Sequence, residues 1–149
     1  MAEQPNRIID PLLFQRGRNI FQTTYMRYMA RGLGHTELDD FDRLLERLSR
    51  NNPGLLTLDL SQNELTDRFV DPIIRHLISN ENLPLRELYL IGNGITDDGA
   101  NAILNAIEAR RNSPLTTLKL AGNPNISPET FKRIESLRNA HSRDIPINR

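Results

Sequence analysis

The sequence predicts an α/β fold: a right-handed solenoid, bent into a short horseshoe, with parallel β-strands on the concave face, helices on the convex face and a helical N-terminal cap. Three observations carry that expectation. A short leucine pattern begins at Leu55, Leu85 and Leu115, a step of 30 residues taken twice. Each copy changes from a two-residue to a helical hydrophobic period, the mark of a repeated strand–helix unit. The 149 residues include no Cys, so neighbouring units have to hold one another by packing rather than by disulfides or thiolate metal sites.

The expected domain is a single one with four parts: an N-terminal helical cap at 1–54, repeats at 55–84, 85–114 and 115–138, and a polar tail at 139–149 with Ile145-Pro146-Ile147 as its apolar handle. In the cap, Ile20, Phe21, Tyr25, Met26 and Met29 predict a helix from Arg18 to Arg31, ended by Gly32-Leu33-Gly34. A competing reading makes this a basic amphipathic segment that docks through Arg16, Arg18, Arg27 and Arg31. Thr36 to Asp39 fits a capping box, and Phe41, Leu44, Leu45 and Leu48 continue it as an amphipathic helix to about Arg50.

The repeats share the pattern L-x-x-L-x-L-x-x-N-x-(L/I), with one extra residue between Asn123 and Ile126 in the third. Alternation along a strand turns Leu58/Leu60, Leu88/Leu90 and Leu118/Leu120 toward a core, and Asp59, Tyr89 and Lys119 away from it. Where the chain leaves the strand its backbone groups lose their ladder partners. A buried amide side chain can replace them, so Asn63, Asn93 and Asn123 are expected to form a structural asparagine ladder. Helices follow on the stripes Val70, Ile73, Ile74, Leu77, Ile78; Ala100, Ile103, Leu104, Ile107; and Phe131, Ile134, Leu137. Thr66, Thr96 and Ser127 stand where N-caps belong, and Pro72 and Pro128 suit a first turn.

Over residues 55–138 these motifs resemble the leucine-rich repeats (LRR) of ribonuclease-inhibitor type. The resemblance implies a strand paired with a full helix in each unit. It also implies a small residue early in the helix, which Gly99 supplies and Phe69 does not. Protein partners are implied too, since members of the family serve as inhibitors, scaffolds and regulators.

Few residues point to chemistry. His35, His76 and His141 lack a second ligand at metal spacing, and no G-x-S-x-G elbow occurs. Gly92-Asn93-Gly94 with Gly99 has the wrong spacing for a dinucleotide loop. The acids at Asp39-Asp40-Phe41-Asp42 and Asp97-Asp98 fall at helix starts, where the backbone dipole favours them. No enzyme activity, metal or cofactor is expected. Lys+Arg and Asp+Glu balance at 19 each, which argues against nucleic acid as the partner, although two basic ends flank an acidic middle. No window approaches the apolar length of a membrane span. A cytoplasmic monomer is the expected form.

The outward strand residues form lanes: Thr57, Glu87, Thr117; Asp59, Tyr89, Lys119; and Ser61, Ile91, Ala121, with Arg86 at the start of the second strand. An aromatic beside an aliphatic, flanked by opposite charges, has the composition of a protein-contact centre. The expected function is non-enzymatic protein–protein interaction through this concave face with a partner the sequence does not identify. Alternatives are a regulator of a small GTPase, using Arg86 or Arg110-Arg111, and a bacterial effector that seizes a host protein in the host cytosol.

Overall fold

A computed structural model describes residues 24–144, with side chains to Leu137. Four three-residue strands, β1 (Tyr25–Arg27), β2 (Thr57–Asp59), β3 (Glu87–Tyr89) and β4 (Thr117–Lys119), form one parallel sheet in chain order. Met26 aligns with Leu58, Leu58 with Leu88, and Leu88 with Leu118. These four side chains are buried, as are Tyr28, Leu60, Leu90 and Leu120 two residues on.

Helices α1 (Leu38–Asn51), α2 (Val70–Ile73), α3 (Asp97–Ala109) and α4 (Pro128–Asp144) follow the four strands. Their inward residues, among them Phe41, Leu45, Ile73, Ile103 and Leu137, join the strand leucines in one continuous core. Each fully buried Leu or Ile stabilises the fold by about 1.5–3 kcal/mol before the entropy of ordering it is counted. No unit could bury its own apolar face alone, so the core exists only between units.

The N-terminal region departs from expectation. Tyr25–Arg27 is a strand rather than part of a helix over Arg18 to Arg31, of which residues 18–23 lie outside the described residues. Its backbone is claimed by the sheet: the Leu56 and Thr57 amides donate to the Thr24 carbonyl, and Tyr28 donates to Asp59. Met26 and Tyr28 fill places that Leu58 and Leu60 fill next door, and Leu33 occupies the place of Leu65. Residues 24–54 thus form a strand–helix unit built like those that follow. The capping box at Thr36 is also absent. Thr36 Oγ1 turns back to the Leu33 carbonyl at 2.6 Å, and Glu37 sits at the helix start without a side-chain cap bond.

The helical segment of the second unit is not a uniform α-helix. It opens as a tight 3-10 turn (Asp67–Phe69), relaxes into α2 and widens further into a π turn at Ile74–Ile78, closed by the Ser79 amide on the Ile74 carbonyl at 2.8 Å. Pro72 lies in this first α turn, where its missing amide costs little. Phe69, at odds with the small residue the family pattern asks for, is accommodated by stacking edge-on against Phe41 of α1, centroids 5.0 Å apart. Gly99, at the matching place one unit later, is needed for another reason. A Cβ there would strike the Asp67 carboxylate, which reaches across to the Thr96 amide and hydroxyl.

Candidate functional site

On the sheet's second face the side chains align in the same register as the strands. One lane runs Tyr25, Thr57, Glu87, Thr117 and the next runs Arg27, Asp59, Tyr89, Lys119. Thr57, Glu87, Tyr89, Ile91 and Thr117 are half-buried, whereas Arg86 and Lys119 are exposed.

Hydrogen bonds fix the centre of this face. Tyr89 Oη donates to Glu87 Oε1 at 2.8 Å, and Thr57 Oγ1 donates to the same oxygen at 3.2 Å. The bond to Glu87, with burial and the carboxylate charge behind it, pushes the Tyr89 phenol up to about 12. Lys119 Nζ lies 5.4 Å from the Tyr89 ring centroid, a cation–π contact across neighbouring strands. The ring is therefore fastened at its hydroxyl and flanked on one side by a cation.

Asp59 and Ser61 were expected to project freely from the same lanes, but both are buried. Asp59 Oδ1 accepts the Ser61 amide at 2.9 Å, and Ser61 Oγ accepts the Ile91 amide at 3.1 Å. Each satisfies backbone that leaves the strand. Two residues of this face were not foreseen in that role, Tyr25 and Arg27, both exposed on β1. Their signal was present as the 32-residue offset that matches Met26, Tyr28 and Leu33 to Leu58, Leu60 and Leu65.

Beyond the strands the three asparagines bond between units. Asn63 Oδ1 accepts the Arg31 amide at 2.7 Å while its Nδ2 donates to the Tyr28 and Leu60 carbonyls. Asn93 Oδ1 accepts the Asn63 and Leu65 amides at 3.0 and 2.9 Å, and Nδ2 donates to Leu60. Asn123 Oδ1 accepts from Ile95, and its Nδ2 donates to Leu90 and Leu120. Each side chain, buried, serves backbone of the unit before its own.

The remaining candidates do structural work. His76 Nε2 and Arg75 both meet Asp42, tying the π turn to α1. Burial raises the Asp42 pKa, but the hydrogen bonds from His76 and Arg75 outweigh it, and the carboxyl ends below its ordinary value. Asp97 Oδ1 accepts the Ser127 amide at 2.8 Å, which holds its carboxyl low as well. His35 pairs with Glu64, and the His141 side chain lies outside the described residues. Arg110 donates to the Ile78 carbonyl at 3.1 Å. Among the described residues no group of His, Asp and Glu has the arrangement of a metal site, and no helix is long and apolar enough to cross a membrane.

A family model described as Leucine Rich repeat matches residues 51–68 and 81–104. No curated protein matches the sequence. Several solved structures share the fold, two of which serve as examples. The tropomodulin C-terminal domain of Caenorhabditis elegans has a TM-score of 0.60 at 12% identity, over 95% of each chain. Leiomodin-1 Actin-Binding Site 2 has a TM-score of 0.61 at 21% identity, over 89% of this chain and 70% of that one. At such identities the likeness is one of fold, and function has to be argued from the site. Residues 51–68 and 81–104 are thus similar to leucine-rich repeats, in keeping with four parallel strands in one register and asparagines bonded from unit to unit.

Proposed function

We propose that the chain is a non-enzymatic protein-binding module that holds its partner against the outer, concave face of the sheet. One observation carries this reading. Among the described residues Tyr25 is the large hydrophobic side chain left exposed, at 53%, and it belongs to the lane beside that of Tyr89. Apolar and aromatic groups left on an otherwise polar surface favour a contact that removes them from water. The repeat length and the full helix α3 support the ribonuclease-inhibitor subtype. The reading takes the protein as a cytoplasmic monomer.

Four strands at about 4.8 Å spacing are some 14 Å wide. A standard interface of roughly 800 Å² per partner therefore extends past the sheet onto the flanking loops. Affinity concentrates at the aromatic centre, where the fixed Tyr89 ring loses little freedom on binding.

Capture of binding proteins on the immobilised chain, read by mass spectrometry, tests the surface when wild type is compared with the Tyr25→Ala/Tyr89→Ala variant. Loss of a captured protein with an unchanged melting temperature supports the reading, and undiminished capture rejects it. Actin is the first defined protein to assay, by co-sedimentation with filaments, because one fold neighbour is an actin-binding site.

A further inference from the structure

We infer that the partner presents an acidic segment to this face: two carboxylates on either side of an aromatic or aliphatic residue, lying across the lane of Arg27, Asp59, Tyr89 and Lys119. The inference rests on the reading that the outer sheet face is the contact surface, and it specifies what that face selects.

The reason lies in how the charges are used. Ion pairs of the described residues join Arg43 to Asp40, Arg50 to Glu46, Arg75 and His76 to Asp42, Arg133 to Glu108 and His35 to Glu64, all of them away from the outer lanes. Among the described residues no acid pairs with Arg27, Arg31, Arg86 or Lys119, which are exposed. The two carboxylates on the face are engaged instead with neutral groups. Asp59 holds the Ser61 amide, and Glu87 holds the Thr57 and Tyr89 hydroxyls. The face thus keeps its acids inward and its cations outward.

Arg27 and Arg31 sit at one end of the lane and Lys119 at the other. At one end a depression of about 370 Å³ is lined by Arg27, Met29, Ala30 and Arg31. Arg27 Nε donates to Met29 Sδ at 2.9 Å, and the Arg31 guanidinium carbon lies 5.1 Å from the Tyr28 ring centroid. Both guanidinium groups are thereby steadied, and their planar forks suit a carboxylate. At the other end Lys119 stands beside the Tyr89 ring.

Arg27 and Lys119 are three strand spacings apart, about 14 Å. An extended segment rising about 3.4 Å per residue covers that distance in about four residues, so acids at i and i+4 meet the two ends while residue i+2, on the same side of the segment, falls between Asp59 and Tyr89, within side-chain reach of the ring. A nucleic acid fits less well. Its closely spaced phosphates would run over Asp59 in the middle of the lane and past Glu87 in the lane beside it, where discrete carboxylates at the ends avoid both.

A dodecapeptide phage library selected on the full-length chain tests this. Enriched peptides should carry Asp or Glu on both sides of an aromatic or aliphatic residue. As synthetic fluorescein-labelled peptides they should bind at least about tenfold more weakly to Arg27→Glu/Lys119→Glu, and more weakly in high salt. Binding to Arg47→Glu, a reversal on the exposed side of α1, should be unchanged, and circular dichroism should show all variants folded. Three results overturn the inference: enriched peptides that are basic or neutral, acidic peptides indifferent to the double reversal, or a single-stranded oligonucleotide that binds the lane more tightly than the peptides. Peptides sensitive to Tyr89→Ala but not to the double reversal would remove the acidic partner and leave the contact surface standing. Indifference to Tyr89→Ala as well would remove both.

Discussion

At the turn after β3 the chain places Asn93, whose side chain bonds two amides and a carbonyl of the unit before it; at the matching turn after β1 it places Arg31, exposed at the surface. Both turns pass through a left-handed residue, Ala30 in one and Gly92 in the other, yet one needs an asparagine and the other does not. The difference follows from position in the sheet. Asn93 has β2 on its preceding side, whereas β1 is the sheet's edge among the described residues, so position 31 has no preceding strand there to serve. Arg31 is served instead, its amide held by Asn63. The asparagine belongs to the junction between units rather than to the unit.

That comparison breaks most visibly at Asn93→Ala. Removing the side chain strands the Asn63 and Leu65 amides inside the protein, with an expected loss of about 3 kcal/mol in urea unfolding. A loss under about 1 kcal/mol would mean that the junction does not depend on the ladder. Gly34→Ala sharpens the edge side. Its amide donates to the Asn63 carbonyl at 2.7 Å, and a Cβ would collide with the Glu64 carbonyl. Rigid backbone has to give way, at an expected cost of about 2–3 kcal/mol by the same measurement.

A smaller effect comes from the clamp between α1 and the π turn. The Asp42 carboxyl sits below its ordinary 3.8 in the folded chain. Its stabilisation is present above that pH and fades as pH falls through the depressed value, because the unfolded chain takes up the proton first. Melting temperatures of wild type and Asp42→Asn should therefore differ near neutrality and converge in acid; a constant gap would assign the effect to packing. Smallest of all is Arg31→Ala, expected within about 0.5 kcal/mol of wild type. A larger loss would show that the edge turn relies on its side chain after all.

How much of this was legible in the sequence depended on whether a residue acts alone or through a neighbour. The three copies from Leu55 onward were legible because leucine at two-residue spacing and asparagine at the turn are chemical necessities of a buried junction. Met26 and Tyr28 hid the first unit, since they pack as Leu does but interrupt the pattern, and Met26 with Ile20, Phe21, Tyr25 and Met29 imitates a helical stripe. Thr36 and Asp39 spelled a capping box, but the Leu33 carbonyl competed for the threonine hydroxyl and won. On the outer face, Tyr89, Glu87 and Lys119 were legible as lane residues. The burial of Asp59 and Ser61 was not, because it depends on backbone amides that only the folded turn directs at them. Nor was the π turn, for nothing in Ile74–Ile78 distinguishes it from an ordinary helix.

Every strand finds its neighbour 30 or 32 residues along the chain, and no pairing skips a unit. Closing a loop of that length costs about 3 kcal/mol of chain entropy, and the cost is nearly the same at each step. Assembly can therefore begin at any adjacent pair and advance outward by equal increments, without waiting for the two termini to meet. During synthesis, sheet formation can start once two units have left the ribosome, and each later unit emerges onto a template already in place.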